Sequence, residues 1–89
     1  MSDFDIPDDM KKMYIERRKK DFEDCTQAVA TNNFEPLARI SHQLKGNAAS
    51  FGFDDLGLIA IDLEKASLEK DMSKIKSALK QFETFLTKY

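Results

Sequence analysis

Eighty-nine residues, 42% of them hydrophobic and 34% charged, suffice for one small core and leave no room for a cofactor-binding fold beside a substrate domain. Fourteen Lys and Arg against sixteen Asp and Glu alternate along the chain, which argues against the basic stripe of a nucleic-acid binder. A single cysteine, Cys25, permits no internal disulfide, the apolar run from Leu56 to Ile61 is too short to span a bilayer, and Met1 to Asp5 lacks the features of a signal peptide; one cytoplasmic domain over residues 1–89, with no membrane role, is expected.

Three glycines and two prolines are too few for an all-β chain, while Ala, Leu, Lys and Glu abound, so the fold class is all-α. Pro7 followed by Asp8 and Asp9 suits a helix start, and a first helix is predicted from about Pro7 to Thr31. Its apolar stripe reads Met10, Met13, Tyr14, Phe22, Cys25, Ala28 and Val29, interrupted by Arg17 and Asp21, which are spaced for an ion pair; the front half overhangs the core. Asn32 and Asn33 offer the next cap, and Pro36 fits the first turn of a second helix from about Phe34 to Gly52. A third helix from about Asp54 to Lys70 turns Leu56, Ile59, Ala60 and Leu63 inward. Asp71 caps a fourth that carries Ile75, Ala78, Leu79, Phe82, Leu86 and Tyr89. Connections this short force antiparallel neighbours, giving an antiparallel up-down-up-down four-helix bundle. Cys25, the methionines and the phenylalanines read mostly as packing, and the run Arg17 to Lys20 as a solvated face.

On the second helix, Leu37, Ile40, Leu44, Ala48 and Phe51 define the core side. The only histidine, His42, lies about 160° from the middle of that stripe, on an arc shared with Ala38, Arg39, Lys45, Gly46 and Ala49. A lone histidine is ordinarily a satisfied core residue or an indifferent surface one. Here the core version fails on geometry, and small residues at Ala38, Gly46 and Ala49, where Glu, Lys or Gln would be ordinary, argue against indifference. A mid-helix glycine costs about 1 kcal/mol relative to alanine, and Gly46 clears a flat approach to the imidazole. Lys45 stands on the same face; its plain alternative is a solvated helix lysine, but beside a neutral imidazole nucleophile it suits an arriving phosphoryl group.

The segment His42-Gln43-Leu44-Lys45-Gly46-Asn47-Ala48-Ala49-Ser50-Phe51-Gly52 resembles the signature of histidine phosphotransfer (HPt) domains, with Leu56, Ala60, Leu63 and Glu64 similar to the family's next helix. Upstream, Tyr14, Arg17-Arg18 and Asn33-Phe34-Glu35 extend the resemblance over most of the chain, while Asn47 departs from the small residue common at its position. The resemblance implies a carrier, not an enzyme. His42 would accept a phosphoryl group from a receiver-domain aspartate and pass it to another receiver, Lys45 would stabilise the phosphate, and Gly46 would admit the partner's loops.

The chain offers no metal cluster, no phosphate-cradling glycine loop and no cofactor site, so Mg²⁺ is expected in the partner, and both an autonomous kinase and a hydrolase lack support. Partners are expected to be receiver domains of response regulators or hybrid histidine kinases, met by a monomer. Hinging the chain at Gly52 sets Ile61, Asp62 and Lys65 level with His42, and the first helix would contribute Asp21 to Cys25. Ala38, Gly46, Ala49, Ile61 and Lys65 are therefore candidate docking residues; Ile61 and Leu58 either make greasy contacts there or pack beneath the first helix. Two other functions use the same residues differently: an antagonist that docks on a receiver or kinase without taking phosphate, and a plain structural module indifferent to His42 and Lys45.

Overall fold

The computed structural model describes residues 6–89, so the reading of Met1 to Asp5 lies outside the described residues. Four helices follow one another: α1 (Asp8–Ala30), α2 (Phe34–Ser50), α3 (Asp54–Leu68) and α4 (Met72–Leu86). Each packs against its chain neighbours, and α1 also closes on α4, while α1 and α3 lie on a diagonal without contact. This is the expected antiparallel four-helix bundle.

Sharp turns make it so. After α1, α2 and α3 the chain reverses through one residue in the left-handed region, Asn32 (φ 52°), Gly52 (φ 82°) and Lys70 (φ 55°) respectively. In each turn that residue and its successor return their N–H groups to the helix just ended: Asn33 to Ala28, Phe53 to Ala48 and Asp71 to Ala66, at 2.8–3.0 Å. Carbonyls that a helix end would orphan are thereby satisfied, and the next helix starts at once. Asp71 then caps α4 by accepting from the Lys74 amide, whereas Asn33 occupies the cap of α2 without a side-chain bond and Pro7 sits at the cap of α1, one residue before the first turn.

The core is built from the expected stripes of α2, α3 and α4, with Leu37, Leu44, Leu56, Leu63, Ile75 and Phe82 fully buried. Small residues line the α2/α3 seam: Ser41 and Ser67 are buried with their hydroxyls returned to the carbonyls of Leu37 and Leu63, and a Cβ on Gly57 would stand 4.0 Å from that of Ala48. The two helices can therefore approach closely, which lets side chains reach across their outer edge.

Several expectations need correction. Met10 and Met13 are exposed, because the antiparallel partners α2 and α4 end before reaching them; Ile15 is buried instead. Tyr89 lies beyond the end of α4, also exposed, with its ring edge against Phe53. Phe51 and Ile59 are half-buried, and α3 ends two residues before Lys70. Asp21 pairs with Arg18 at 2.7 Å, not with Arg17, because Arg18 turns toward the bundle and lays its guanidinium 4.4 Å from the centre of the Tyr14 ring. Phe22 faces α4, edge-on to Phe82, and so leaves the face that carries His42.

Candidate functional site

His42 stands midway along α2 with its side chain 69% exposed, as the position of the core stripe requires. From α3, across the narrow seam, Glu64 reaches it: Nδ1 of His42 lies 2.8 Å from Oε2 of Glu64. The other oxygen, Oε1, accepts from Nζ of Lys45 at 2.6 Å. One carboxylate thus spans the imidazole and its neighbouring cation.

The bridge decides which nitrogen of the imidazole donates. Glu64 is only 18% exposed, and its carboxyl is held below the usual carboxylate range, first by the Lys45 hydrogen bond and then by that of His42, against some desolvation. An ionised carboxylate only accepts, so Nδ1 carries a hydrogen and is the donor of this bond. In the neutral form of this ring Nε2 keeps its lone pair, on a side chain that is exposed and tied through its other nitrogen.

Around this core the predicted docking residues separate. Gly46 and Ala49 are exposed and Ala38 half-buried on the same arc of α2, and a Cβ built on Gly46 meets nothing within 4 Å. Ile61 is exposed one turn before Glu64 and so does not pack beneath α1. Lys65 instead lines the groove between α3 and α4 with Asp62, Glu69 and Lys74, and Leu58 lies in that same inter-helix groove nearer the end of α4. These two are turned away from His42.

Two residues of this face escaped the sequence reading. Glu64 was visible only as a family-like position, since hinging the chain at Gly52 sets His42 opposite Asp62, whereas the side chain that reaches the ring belongs to the residue two further along α3. Leu68, 69% exposed at the end of α3, borders an open hollow of about 650 Å³ beside His42, together with Phe34, Ala38, Arg39 and Lys70. An apolar residue at the last turn of a helix carries no periodic signal that marks it as facing a hollow.

On the opposite flank of α2, Asn47 accepts a 2.5 Å hydrogen bond from the hydroxyl of Tyr14, whose ring stacks on Phe51 with centroids 4.4 Å apart. The departure at Asn47 therefore ties α1 to α2. Burial pushes the Tyr14 phenol above its ordinary value against the opposing pull of Arg18.

A family model described as Hpt domain matches residues 9–87. The chain belongs to the Hpt domain family. No curated protein and no solved structure matched it. Hpt domains are four-helix bundles that serve as phosphoryl carriers in two-component phosphorelays, and the bundle here is of that kind. Among the described residues, no helix is long and apolar enough to cross a membrane, and no group of three or more His, Cys, Asp or Glu is placed to hold a metal ion.

Proposed function

We propose that this Hpt domain accepts a phosphoryl group on Nε2 of His42 from the aspartate of a receiver domain and passes it to another receiver. The observation that carries the reading is the bridged Glu64, which ties Nδ1 and so leaves an exposed Nε2 lone pair beside a lysine. Nε2 attacks phosphorus in line with the bond to the receiver's carboxylate oxygen; that bond breaks, and its electron pair stays on the carboxylate. Lys45, one turn along the helix, offsets the negative charge that arrives. Gly46, with open space where a side chain would stand, lets the receiver's loops approach the ring.

The chain's part is to present and position, not to bind the metal that such a transfer requires; the receiver supplies the Mg²⁺. Ala38, Ala49, Ile61 and Leu68 supply the apolar surroundings for docking, with Arg39 and Lys70 at the edge of the hollow. Such exchange belongs in the cytoplasm, where a bundle held by packing, with one buried thiol, needs no oxidising environment.

The test separates docking from chemistry. A phosphorylated receiver is mixed with the protein in Mg²⁺, and receiver binding and phosphoryl uptake are measured for wild type, His42→Gln and Gly46→Arg. The proposal expects His42→Gln to bind without taking phosphate, and Gly46→Arg to lose both. Uptake that survives His42→Gln would refute it, and a receiver that binds wild type without ever transferring phosphate would point to the antagonist.

A further inference from the structure

Glu64 cannot keep both of its partners unchanged once a phosphoryl group sits on His42. In the resting site a single carboxylate neutralises Lys45 and accepts the Nδ1 proton, at 2.6 and 2.8 Å. Phosphoryl transfer to Nε2 creates two new charges within a few ångströms. The ring, still bearing its Nδ1 hydrogen, becomes a cation, and the phosphoryl oxygens bring negative charge to the side of the ring away from Glu64.

Resting on the carrier reading above, we infer that the Glu64–Lys45 ion pair divides during transfer: Glu64 stays with the phosphorylated ring and holds its Nδ1 proton, while Lys45 leaves Glu64 for the phosphoryl oxygens. Glu64 is then a positioning residue that keeps the loaded ring protonated and so keeps the phosphoryl group ready to leave. The balance closes without a proton leaving the ring. On loading, the Nε2 lone pair forms the bond to phosphorus and the ring becomes a cation. On unloading, the Nε2–P bond breaks, its electron pair returns to Nε2, the phosphoryl group passes to an oxygen of the acceptor, and the ring is neutral again with Nδ1–H still in place. A neutral imidazole is a far better leaving group than an imidazolate, so the proton held by Glu64 governs how easily the group departs.

The surroundings fit this division of labour. The charged groups facing His42 are Glu35, Arg39 and Lys45 from its own helix, Glu64 from α3 and Lys70 from the turn that follows; α1 and α4 contribute none to the hollow beside the ring. Arg39 pairs with Glu35, at 3.6 Å. Among the described residues Glu64 is the one carboxylate in contact with the imidazole, and a glutamine there can accept the same hydrogen bond but supplies no charge to hold the proton on a loaded ring.

The experiment compares wild type with Glu64→Gln, both loaded on His42 with phosphoramidate, a small phosphoryl donor that needs no receiver. Loss of the phosphoryl group to water is followed from about pH 6 to about pH 9. The two proteins are expected to lose it at similar rates at the acid end, where either ring is protonated, and Glu64→Gln to be about tenfold or more slower at the alkaline end. A rate ratio that stays constant with pH would overturn the inference. Nitrogen-15 NMR of the loaded imidazole at about pH 8 gives a second reading: Nδ1 protonated in wild type and deprotonated in Glu64→Gln, with the same state in both counting against it. If neither protein can be loaded by phosphoramidate or by any receiver, the carrier reading itself falls and this inference with it; loading with unchanged pH dependence removes this inference alone.

Discussion

Gly46 stands inside α2, one turn before its end, although nothing in the packing asks for it. A Cβ there would meet open space, its backbone is helical, and a mid-helix glycine weakens a helix by about 1 kcal/mol relative to alanine. Gly46→Ala should accordingly stabilise the protein by about 0.5–1 kcal/mol, seen as a higher midpoint in denaturant; a loss of stability would mean that the glycine serves the fold and not access to His42. Cys25 shows the opposite case, a residue that serves the fold alone. It is fully buried, and burial first, with Asp21 and Asp24 nearby, pushes its thiol up to about 12. A group whose folded value is raised stays neutral longer than in the unfolded chain, so its contribution to stability is complete below the ordinary thiol value of 9.0 and is lost as pH rises from there toward about 12. At about pH 8, labelling of Cys25 by a thiol reagent should follow global unfolding and match exchange of the core amides; fast labelling of the native protein would contradict this. At this scale the sequence showed the outward histidine, its lysine and its glycine, because each is decided by angle around one helix. It could not show the contact with Glu64, which depends on how two helices slide past one another, and a shift of two residues was enough to point to Asp62.

Among the elements, the three turns are more alike than their sequences. Asn32, Gly52 and Lys70 occupy the same left-handed position and close the same pair of hydrogen bonds, yet only glycine adopts that conformation without steric cost. Opposite substitutions should therefore have opposite signs. Gly52→Ala should cost about 1 kcal/mol, and Lys70→Gly should gain about 0.5–1 kcal/mol, both read from chemical denaturation; matching signs would mean that the turns are not equivalent. Gly52 was legible as a helix end because glycine announces one, and Asp71 as a cap for the same kind of reason. Lys70 gave no such signal, which is why α3 was expected to run through it. The overhang of α1 was visible in its broken stripe, but Met10 and Met13 read as core because periodicity alone does not reveal where the partner helices stop.

Across the whole molecule, the fold and the site draw on different residues. The core comes from the inner stripes of all four helices, whereas His42, Lys45, Gly46, Glu64 and the hollow by Leu68 occupy the outer edge of one seam, between α2 and α3. Small side chains on that seam link the two, since the close approach they allow is what lets Glu64 reach His42. The bundle's architecture was legible from composition, helical periodicity and short connections. The surroundings of the predicted docking residues were not: Ala38 borders the hollow beside His42, while Lys65 belongs to the groove with α4. The proposed role of His42 as carrier of the phosphoryl group is tested most directly by intact-mass analysis of the protein after mixing with phosphorylated receivers and Mg²⁺, followed by acid treatment and by mapping of the modified peptide, with His42→Gln alongside. One acid-labile phosphoryl group is expected on the peptide containing His42 and none on the variant, whose stability should match wild type within about 0.5 kcal/mol. A phosphoryl group on any other residue, or one that persists in His42→Gln, would contradict it.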